Sequence, residues 1–218
     1  MVDLPSNLPP ALSHWFGARS QPPPQTPFWN SLLWAFVGAF CGLSVLQAVF
    51  GHASYFIDRG VPQLVASYGA SAVLIYGVPE VPLAQPRAVI GGHFISALVG
   101  LIILTIFRAG GHANENDDGI ESSLSWLAAS LASSIAIVCM MATKTTHPPA
   151  GATALIPIID PKVYKLSWYF LPVVLLSSTL MVFVGIMIMN VQKRYPVFWW
   201  EPTKPPQPAK DESSKESV

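Results

Sequence analysis

Long runs of apolar residues, separated by short polar stretches, make up most of the chain. Six stretches contain no Asp, Glu, Lys or Arg, and together they hold 125 of the 218 residues: 31–51, 60–79, 88–107, 122–143, 145–159 and 166–192. Each contains one apolar run. A helix needs about 20 mostly apolar residues to cross the hydrocarbon core of a bilayer. Four runs meet this length and predict membrane-spanning helices. These four lie at residues 31–51, 88–107, 122–142 and about 169–191.

The other two runs are short and contain prolines. One extends over residues 61–78, and the other extends over 148–159 and is interrupted at Pro157. Each has a similar core, Gly-Ala-Ser-Ala-Val-Leu-Ile from Gly69 and Gly-Ala-Thr-Ala-Leu-Ile from Gly151. Each core also follows one full span and precedes another. This pattern predicts an internal repeat of three segments, and the alternative is chance recurrence of a Gly/Ala-rich helix motif. The two halves would be about 28–108 and 122–192.

The pattern therefore predicts an all-α, polytopic helical membrane protein with four full transmembrane helices and two short or broken helical segments. Short, Gly/Pro-interrupted segments at matching positions in two halves indicate the binding site of a transporter. Irregular backbone at membrane depth is tolerated only where protein or a water-filled cavity satisfies it. The cations near the span ends leave both four and six crossings open. The domain boundaries would be a Pro-rich disordered tail at 1–27, a transmembrane domain at 28–192 and a polar disordered tail at 193–218.

Charge is scarce and balanced. The 12 basic and 12 acidic residues make up 11% of the chain, and the net charge is zero. A soluble domain carries roughly 25% charged residues, so a water-soluble enzyme is nearly excluded. The chain has no basic footprint for nucleic acid. It also lacks the short motifs of common enzyme classes. We expect no enzymatic activity, no cofactor and no metal.

Polar residues flank both short runs. Gln85 and Arg87 precede the span at 88–107, with His93 inside it, and Lys144 and His147 precede the second short run. Proline suits the first turn of a helix, which predicts a helix beginning at Pro148, with the free N–H groups of Ala150 to Ala152 pointing back towards the residues before it. This arrangement favours an anion site. The alternatives are a simple helix-start turn with Lys144 reaching to the interface, and a buried, satisfied His93. The candidate substrate-binding residues are Gly69, Ser71, Gln85, Arg87, His93, Lys144, His147, Pro148, Pro149, Gly151 and Thr153.

Acidic residues are absent from all six runs. A cation pathway would be expected to carry Asp or Glu, whereas this core offers Arg, Lys, His and hydroxyl groups at its edges. The favoured cargo is therefore a small inorganic anion.

Four ordered motifs resemble those of the HPP family of integral membrane proteins, named for its His-Pro-Pro motif. The resemblance covers about residues 28–192 and implies a helical membrane domain, usually of four spans. Some plant and cyanobacterial members are associated with nitrite transport, so the resemblance implies nitrite as the best single cargo. The N-terminus is not a Ser/Arg-rich leader, so a plastid location is not carried over. The motifs are Gly69-Ala-Ser-Ala-Val-Leu, Leu83-Ala-Gln-Pro-Arg87, Gly91-Gly-His93 with Ser96-Ala-Leu, and His147-Pro-Pro-Ala-Gly-Ala-Thr-Ala-Leu155.

We therefore expect a multi-pass membrane permease or channel for a small inorganic anion, with Arg87 and the helix start at His147 as its main binding elements. Lys144, Ser71 and Thr153 would be secondary donors. The alternative is a non-transporting structural or scaffold membrane protein whose motifs serve helix packing, and a membrane-embedded enzyme is a third hypothesis. The expected partners are the lipid bilayer and the anion, with a homo-oligomer left open and the particular membrane unassigned.

Overall fold

The computed structural model describes residues 27–114, 116 and 119–201, together with Trp15 and Gly17. In this part of the chain the regular elements are helices. The α-helices are α1 Phe28–His52, α2 Ser54–Ile57, α3 Ser67–Ala72, α4 Pro86–Ala109, α5 Ser122–Ala142, α6 Pro148–Ile159, α7 Pro161–Leu166 and α8 Phe170–Met189. A π-helix at Val73–Gly77 continues α3, and 3-10 turns at Pro82–Ala84 and Ser167–Tyr169 precede α4 and α8.

Four helical stretches are long and apolar enough to cross a membrane. They are α1, α4, α5 and the stretch Pro161–Met189 that α7 and α8 form together. Large apolar side chains on these helices, such as Phe36, Phe40 and Val138, are exposed where a bilayer would cover them. The prediction of an all-α membrane fold with four full spans and two shorter segments is confirmed.

The two short segments differ from the full spans in geometry. The first is helical only from Ser67 and changes from α- to π-helix at Val73; we call residues 67–77 the broken helix. A π-helical turn is rare and frequently marks a functional site. The second, α6, has 12 residues and thus a length of about 18 Å, less than the roughly 30 Å of a hydrocarbon core. An interruption was expected at Pro157. Helix α6 instead continues through this proline and ends two residues later, at Ile159.

Contacts between helix ends define the two ends of the bundle. Arg87, at the start of α4, donates to the carbonyl of Thr143, which follows α5. At the opposite end of α4, the Arg108 guanidinium lies 4.7 Å from the ring centroid of Tyr164 in α7. We call these the Arg87 end and the Arg108 end.

The broken helix runs in the same direction as α8. The Tyr68 hydroxyl donates to the Val174 carbonyl, and eight residues later the Tyr76 hydroxyl donates to the Met181 carbonyl. Both segments finish at the Arg87 end, since Lys193, which follows α8, forms an ion pair with Glu80, which follows the broken helix.

Helix α1 runs opposite to the broken helix and packs closely on it. Gly38 and Gly42 of α1 make room for the ring of Tyr76, whereas Gly51, near the other end of α1, lies against Gln63. A Cβ at Gly38 would lie 2.8 Å from Cδ1 of Tyr76. The Gly-x-x-x-Gly spacing of α1 therefore accommodates an aromatic ring of the broken helix.

Helix α6 runs beside α4 in the same direction. Gly92 of α4 faces Thr145 and His147, and Gly100, two turns later, faces the backbone of Ala154. Successive segments of the chain thus alternate in direction. Helices α1, α4 and α6 run from the Arg87 end towards the Arg108 end. The broken helix, α5 and α8 run the opposite way. The two predicted halves run in opposite senses, which is the order that an inverted repeat requires.

Candidate functional site

A cluster of polar side chains lies inside the bundle, where the broken helix, α4 and α6 meet. Each of its five members is at most 3% exposed. The spans around it contribute no charged side chain to these contacts, so the cluster is an uncharged polar centre in an apolar core. Its members, which we call the histidine cluster, are Ser67, Ser71, His93, His147 and Thr153.

Ser71 bridges the two histidines. Its Oγ lies 2.8 Å from Nε2 of His93 and 2.8 Å from Nε2 of His147. The two imidazole rings are 5.0 Å apart between centroids, at an angle of 61°. One hydroxyl, with a single proton, therefore faces two ring nitrogens.

The outer ring nitrogens also have partners. His93 Nδ1 lies 2.8 Å from the hydroxyl of Thr153, which in turn lies 2.8 Å from the hydroxyl of Ser67. His147 Nδ1 lies 2.7 Å from the carbonyl oxygen of Leu83. The result is one continuous line of hydrogen bonds from Ser67 to Leu83.

Glycines on α4 allow His147 to approach His93. A Cβ at Gly92 would lie 2.7 Å from the Thr145 carbonyl oxygen and 2.9 Å from Cβ of His147. A Cβ at Gly91 would lie 2.8 Å from Cγ2 of Thr145. The Gly-Gly-His motif thus gives the segment before α6 room to lie directly on α4.

The start of α6 is where the sequence predicted it, with His147 at the cap position and Pro148 as the first helical residue. The backbone N–H groups at the start of α6 are not all free, although the sequence had predicted that they would be. Pro148 and Pro149 have no N–H, and the N–H of Ala150 donates to the His147 carbonyl at 2.9 Å. The expectation of a free amide at Ala150 is therefore wrong, because the chain closes a tight turn there. Gly151 faces α5, where its carbonyl accepts from Ser133 at 3.5 Å.

Arg87 and Lys144 lie outside the histidine cluster, at the Arg87 end. One carboxylate oxygen, Oε1 of Glu201, lies 3.5 Å from Arg87 Nη1 and 3.1 Å from Lys144 Nζ. Arg87 also donates to the carbonyls of Thr143 at 2.8 Å and Trp200 at 3.1 Å. We call the two cations the cationic pair.

The chain segment 143–147 joins the cationic pair to the histidine cluster, since the Thr143 carbonyl accepts from Arg87 and His147 belongs to the cluster. The hydroxyls of Thr143 and Thr145 are 2.8 Å apart, and Thr145 lies two residues before His147. Residues 143–147 therefore lead from the surface cations to the buried imidazoles.

Gln85 is buried and holds two loops together. Its Nε2 donates to the carbonyls of Pro79 and Val81, and its Oε1 accepts from the N–H of Val197. Its proposed contact with a substrate stays a prediction. Gly69, by contrast, has open space beside it, since a Cβ at this position would meet no heavy atom within 4 Å.

The segment 193–201 packs against the bundle, although the sequence assigned it to a disordered tail. The Tyr195 side chain is fully buried and donates to the Ala84 carbonyl. This packing places the Glu201 carboxylate against the cationic pair. The sequence did not predict this contact. The remainder of the predicted C-terminal tail, and the N-terminal tail apart from Trp15, Gly17 and Pro27, lie outside the described residues.

In the part of the chain that the structure describes, no three His, Cys, Asp or Glu side chains come together as a ligand set. The histidine cluster offers hydroxyl groups and two imidazoles, and the cationic pair offers a guanidinium and an ammonium group.

Comparison with known proteins decides the family. The sequence matches the family described as HPP, transmembrane region, over residues 24–196. The chain belongs to this family. Two transmembrane proteins of Dictyostelium discoideum are similar to it: one is 36% identical over 189 residues, covering 85% of this chain and 62% of the relative, and the other is 37% identical over 170 residues, covering 77% and 50%. The chain thus spans between half and two thirds of the length of these relatives. No solved structure matches it.

Membership of the HPP transmembrane family and the four membrane-spanning helices together establish a multi-pass integral membrane protein.

Proposed function

We propose that this HPP-family protein is a permease or channel for a small inorganic anion, with nitrite as the best single candidate, and that Arg87 and Lys144 capture the anion. The observation that carries the proposal is the convergence of both cations on one oxygen of the Glu201 carboxylate. A carboxylate and a nitrite ion each present two oxygens in a bent, planar group with one negative charge. A small oxyanion therefore matches the group that the cationic pair already holds.

The geometry of Arg87 suits this role. Its guanidinium is held by the carbonyls of Thr143 and Trp200, so its orientation is fixed before an anion arrives. A planar guanidinium binds carboxylate-like oxygens with directional, charge-assisted hydrogen bonds. Its side chain is 22% exposed, which leaves the group accessible from the Arg87 end.

Lys144 occupies an unusual backbone position. Its φ is +57°, and the N–H groups of Lys144 and Thr145 donate to the carbonyls of Met141 and Met140. This is a helix-ending motif in which glycine is the usual residue. A side chain there costs about 1 kcal/mol, so the presence of lysine supports a role for its ammonium group.

The Glu201 contact is suited to exchange. The side chains of Glu201 and Lys144 are 61% and 71% exposed, and ion pairs this exposed contribute little to stability. An incoming anion can therefore displace the carboxylate. From there, the chain segment 143–147 runs inward to the histidine cluster.

Uptake of labelled nitrite into liposomes that contain the purified protein tests the proposal. The variants are Arg87→Gln and Lys144→Gln. Loss of a charge-assisted contact should lower uptake by about tenfold or more in each. Lys193→Gln is the matched control, because Lys193 pairs with Glu80 at the same end and does not contact Glu201. Uptake no greater than in empty liposomes, or equal loss in all three variants, would overturn the proposal.

The second candidate is a non-transporting structural protein, and the closed hydrogen-bond network of the histidine cluster is the observation that favours it. Every member of that network already has a partner within the protein. This candidate predicts that substitutions in the cluster lower thermal stability and that wild-type liposomes take up no anion.

A further inference from the structure

An open cavity of about 610 Å³ lies at the Arg108 end, between α7 and the loop that follows α2. Three of the side chains that line it are cationic, namely Arg59, Lys162 and Lys165, and Asp58 is acidic. With three positive charges and one negative charge, the lining has a net charge of +2. We infer that this cavity binds the phosphate group of an anionic phospholipid from the surrounding membrane, and we call it the lipid site.

The lipid site lies at the level of the membrane surface. Helix α8 has 20 residues and a length of about 30 Å, which is enough to cross the hydrocarbon core. Helix α7 precedes α8 and therefore lies at the edge of that core. Tyr55 in α2 and Trp168 in the turn before α8 are 53% and 47% exposed, and such side chains are typical of the headgroup layer. A lipid headgroup can therefore enter the cavity from the adjacent bilayer.

Two lysines on α7 supply most of the positive charge. Lys162 and Lys165 are about one helical turn apart, and both are exposed. In the residues that the structure describes, no carboxylate forms an ion pair with either lysine. The Asp160 carboxylate instead caps α7, where its Oδ1 accepts from the N–H of Lys162 at 2.8 Å. Both ammonium groups are therefore available to an external anion.

Arg59 is held in position on the loop side of the cavity. Its guanidinium carbon lies 3.8 Å from the ring centroid of Tyr55, and its Nη1 donates to the Tyr55 carbonyl at 2.8 Å. A guanidinium has several N–H donors in one plane, so Arg59 keeps donors for a phosphate beyond this contact. Its planar group binds phosphate oxygens with directional, charge-assisted hydrogen bonds.

Apolar side chains in the same lining favour a phospholipid over a small inorganic anion. Phe50, Ile57, Val61 and Leu166 line the cavity together with the cations. The volume lies within the range of about 300–1,000 Å³ that is common for organic ligands, and a phosphate or nitrite ion would fill little of it. A phospholipid has a charged phosphate and an apolar part, so it can contact both kinds of side chain.

The net charge of the lining predicts which phospholipid is preferred. The choline group of phosphatidylcholine cancels the charge of its phosphate, whereas phosphatidylglycerol keeps a net negative charge. Basic pockets between helix ends bind anionic headgroups through such a difference in charge. The lipid site should therefore prefer phosphatidylglycerol.

Native mass spectrometry of the full chain in detergent tests this preference. The protein is titrated with phosphatidylglycerol or phosphatidylcholine of identical acyl chains, and the affinity for the first bound lipid is measured. Phosphatidylglycerol should bind about tenfold more tightly or better. The double substitution Lys162→Gln with Lys165→Gln should remove this preference. Equal affinity for the two lipids in the wild type, or an unchanged preference in the double variant, would overturn the inference.

Arg108→Gln is the matched control for Arg59→Gln. Both guanidinium groups lie over a tyrosine ring at the same end of the bundle, but Arg59 lines the cavity and Arg108 does not. Arg59→Gln should weaken the binding of phosphatidylglycerol by about fivefold, and Arg108→Gln should not weaken it. Equal losses in both variants would assign the effect to general surface charge and overturn the site.

Asp58→Asn tests the site in the opposite direction. It removes the acidic side chain of the lining, so the affinity for phosphatidylglycerol should rise by about threefold. This variant keeps all three cations, so it tests the charge of the lining even where a cation variant fails to fold. An affinity that falls in Asp58→Asn would contradict the inference.

Thermal melting in detergent separates a lipid from a free anion. Phosphatidylglycerol should raise the melting temperature of the wild type but not that of the double lysine variant, because a ligand that binds the folded state stabilises it. Inorganic phosphate and nitrite should have no more effect than chloride at the same ionic strength. A rise with phosphate or nitrite that the double lysine variant lacks would identify a site for free anions and overturn the lipid assignment. Neither measurement depends on transport, so a failure of nitrite uptake leaves the lipid site standing, and the reverse also holds.

Discussion

The hydroxyl of Thr153 lies 2.8 Å from the hydroxyl of Ser67, and this bond joins the two short segments of the chain. Thr153 stands two residues after Gly151 in α6, and Ser67 stands two residues before Gly69 in the broken helix. Both side chains are buried. The second repeat motif therefore meets, in the interior of the bundle, the residue that lies two positions before the first motif, and the contact is between two hydroxyl groups.

Removal of the Thr153 hydroxyl should destabilise the protein. Thr153→Val keeps the shape of the side chain but leaves Ser67 Oγ and His93 Nδ1 with one partner fewer. A buried polar group without a partner costs about 1–3 kcal/mol, so the free energy of unfolding should fall by that amount. Denaturant unfolding in detergent micelles measures it. Thr153→Ser, which keeps the hydroxyl, is the control, and equal stability of the two variants would contradict the prediction.

The close contact between α4 and α6 depends on Gly100. A Cβ there would collide with the carbonyl oxygen of Ala154 and lie 3.2 Å from its carbonyl carbon. Because both are backbone atoms, the helices must separate to admit a methyl group. We expect Gly100→Ala to lower the melting temperature clearly, through overpacking that costs about 1–3 kcal/mol.

Gly69→Ala is the matched control for that substitution. A Cβ at Gly69 meets no heavy atom within 4 Å, and alanine is favoured over glycine in a helix by about 1 kcal/mol. This variant should be as stable as the wild type or more so. If the Gly100→Ala and Gly69→Ala proteins have the same melting temperature, α4 and α6 are less tightly packed than the structure indicates.

Hydropathy was sufficient to predict the membrane fold, because each full span is a local property of about 20 residues. The start of α6 was equally local, since Pro148 fits the first helical turn. His93 and His147 were candidates because ionisable groups inside apolar runs are uncommon. Their link through Ser71 could not be predicted, because it depends on how segments 22 and 76 residues apart in the chain cross in space.

The Glu201 contact was missed for another reason. A short polar segment after the last span has no hydrophobic period, so it resembles a solvated tail. The buried side chain of Tyr195 and the clamp that Gln85 forms on Val197 hold this segment in place. These contacts are long-range, and the only local signal was the group of aromatic residues between positions 195 and 200.

The Glu201 carboxyl should titrate below the ordinary pKa of a glutamate. The hydrogen bond and charge of Lys144, followed by the charge of Arg87, lower the pKa of Glu201 below its ordinary value. The ion pair is therefore complete above the ordinary carboxyl pKa and is lost as the pH falls through the lowered value. Carbon NMR of ¹³C-labelled glutamate measures the midpoint. Lys144→Gln should raise the Glu201 pKa more than Arg87→Gln does, and the reverse order would contradict the structure.

Lys144→Gly should separate stability from anion binding. Glycine adopts the φ of +57° without strain, so the variant should be as stable as the wild type or more stable by about 1 kcal/mol. Nitrite uptake should nevertheless fall by about tenfold, because one of the two cations is missing. Thermal melting and uptake are measured on the same preparation. A variant that is destabilised and transports normally would assign Lys144 a purely structural role.

Glu201→Gln should make the cationic pair easier for an anion to reach. The wild-type carboxylate competes with an incoming anion for Arg87 and Lys144, whereas an uncharged amide competes weakly. We expect the KM for nitrite uptake to fall by about two- to fivefold, because the displaced contact is an exposed ion pair of small strength. Glu80→Gln, which removes the partner of Lys193 at the same end, should leave the KM unchanged. A KM that rises in Glu201→Gln would mean that the carboxylate orients the two cations for the anion and does not compete with it.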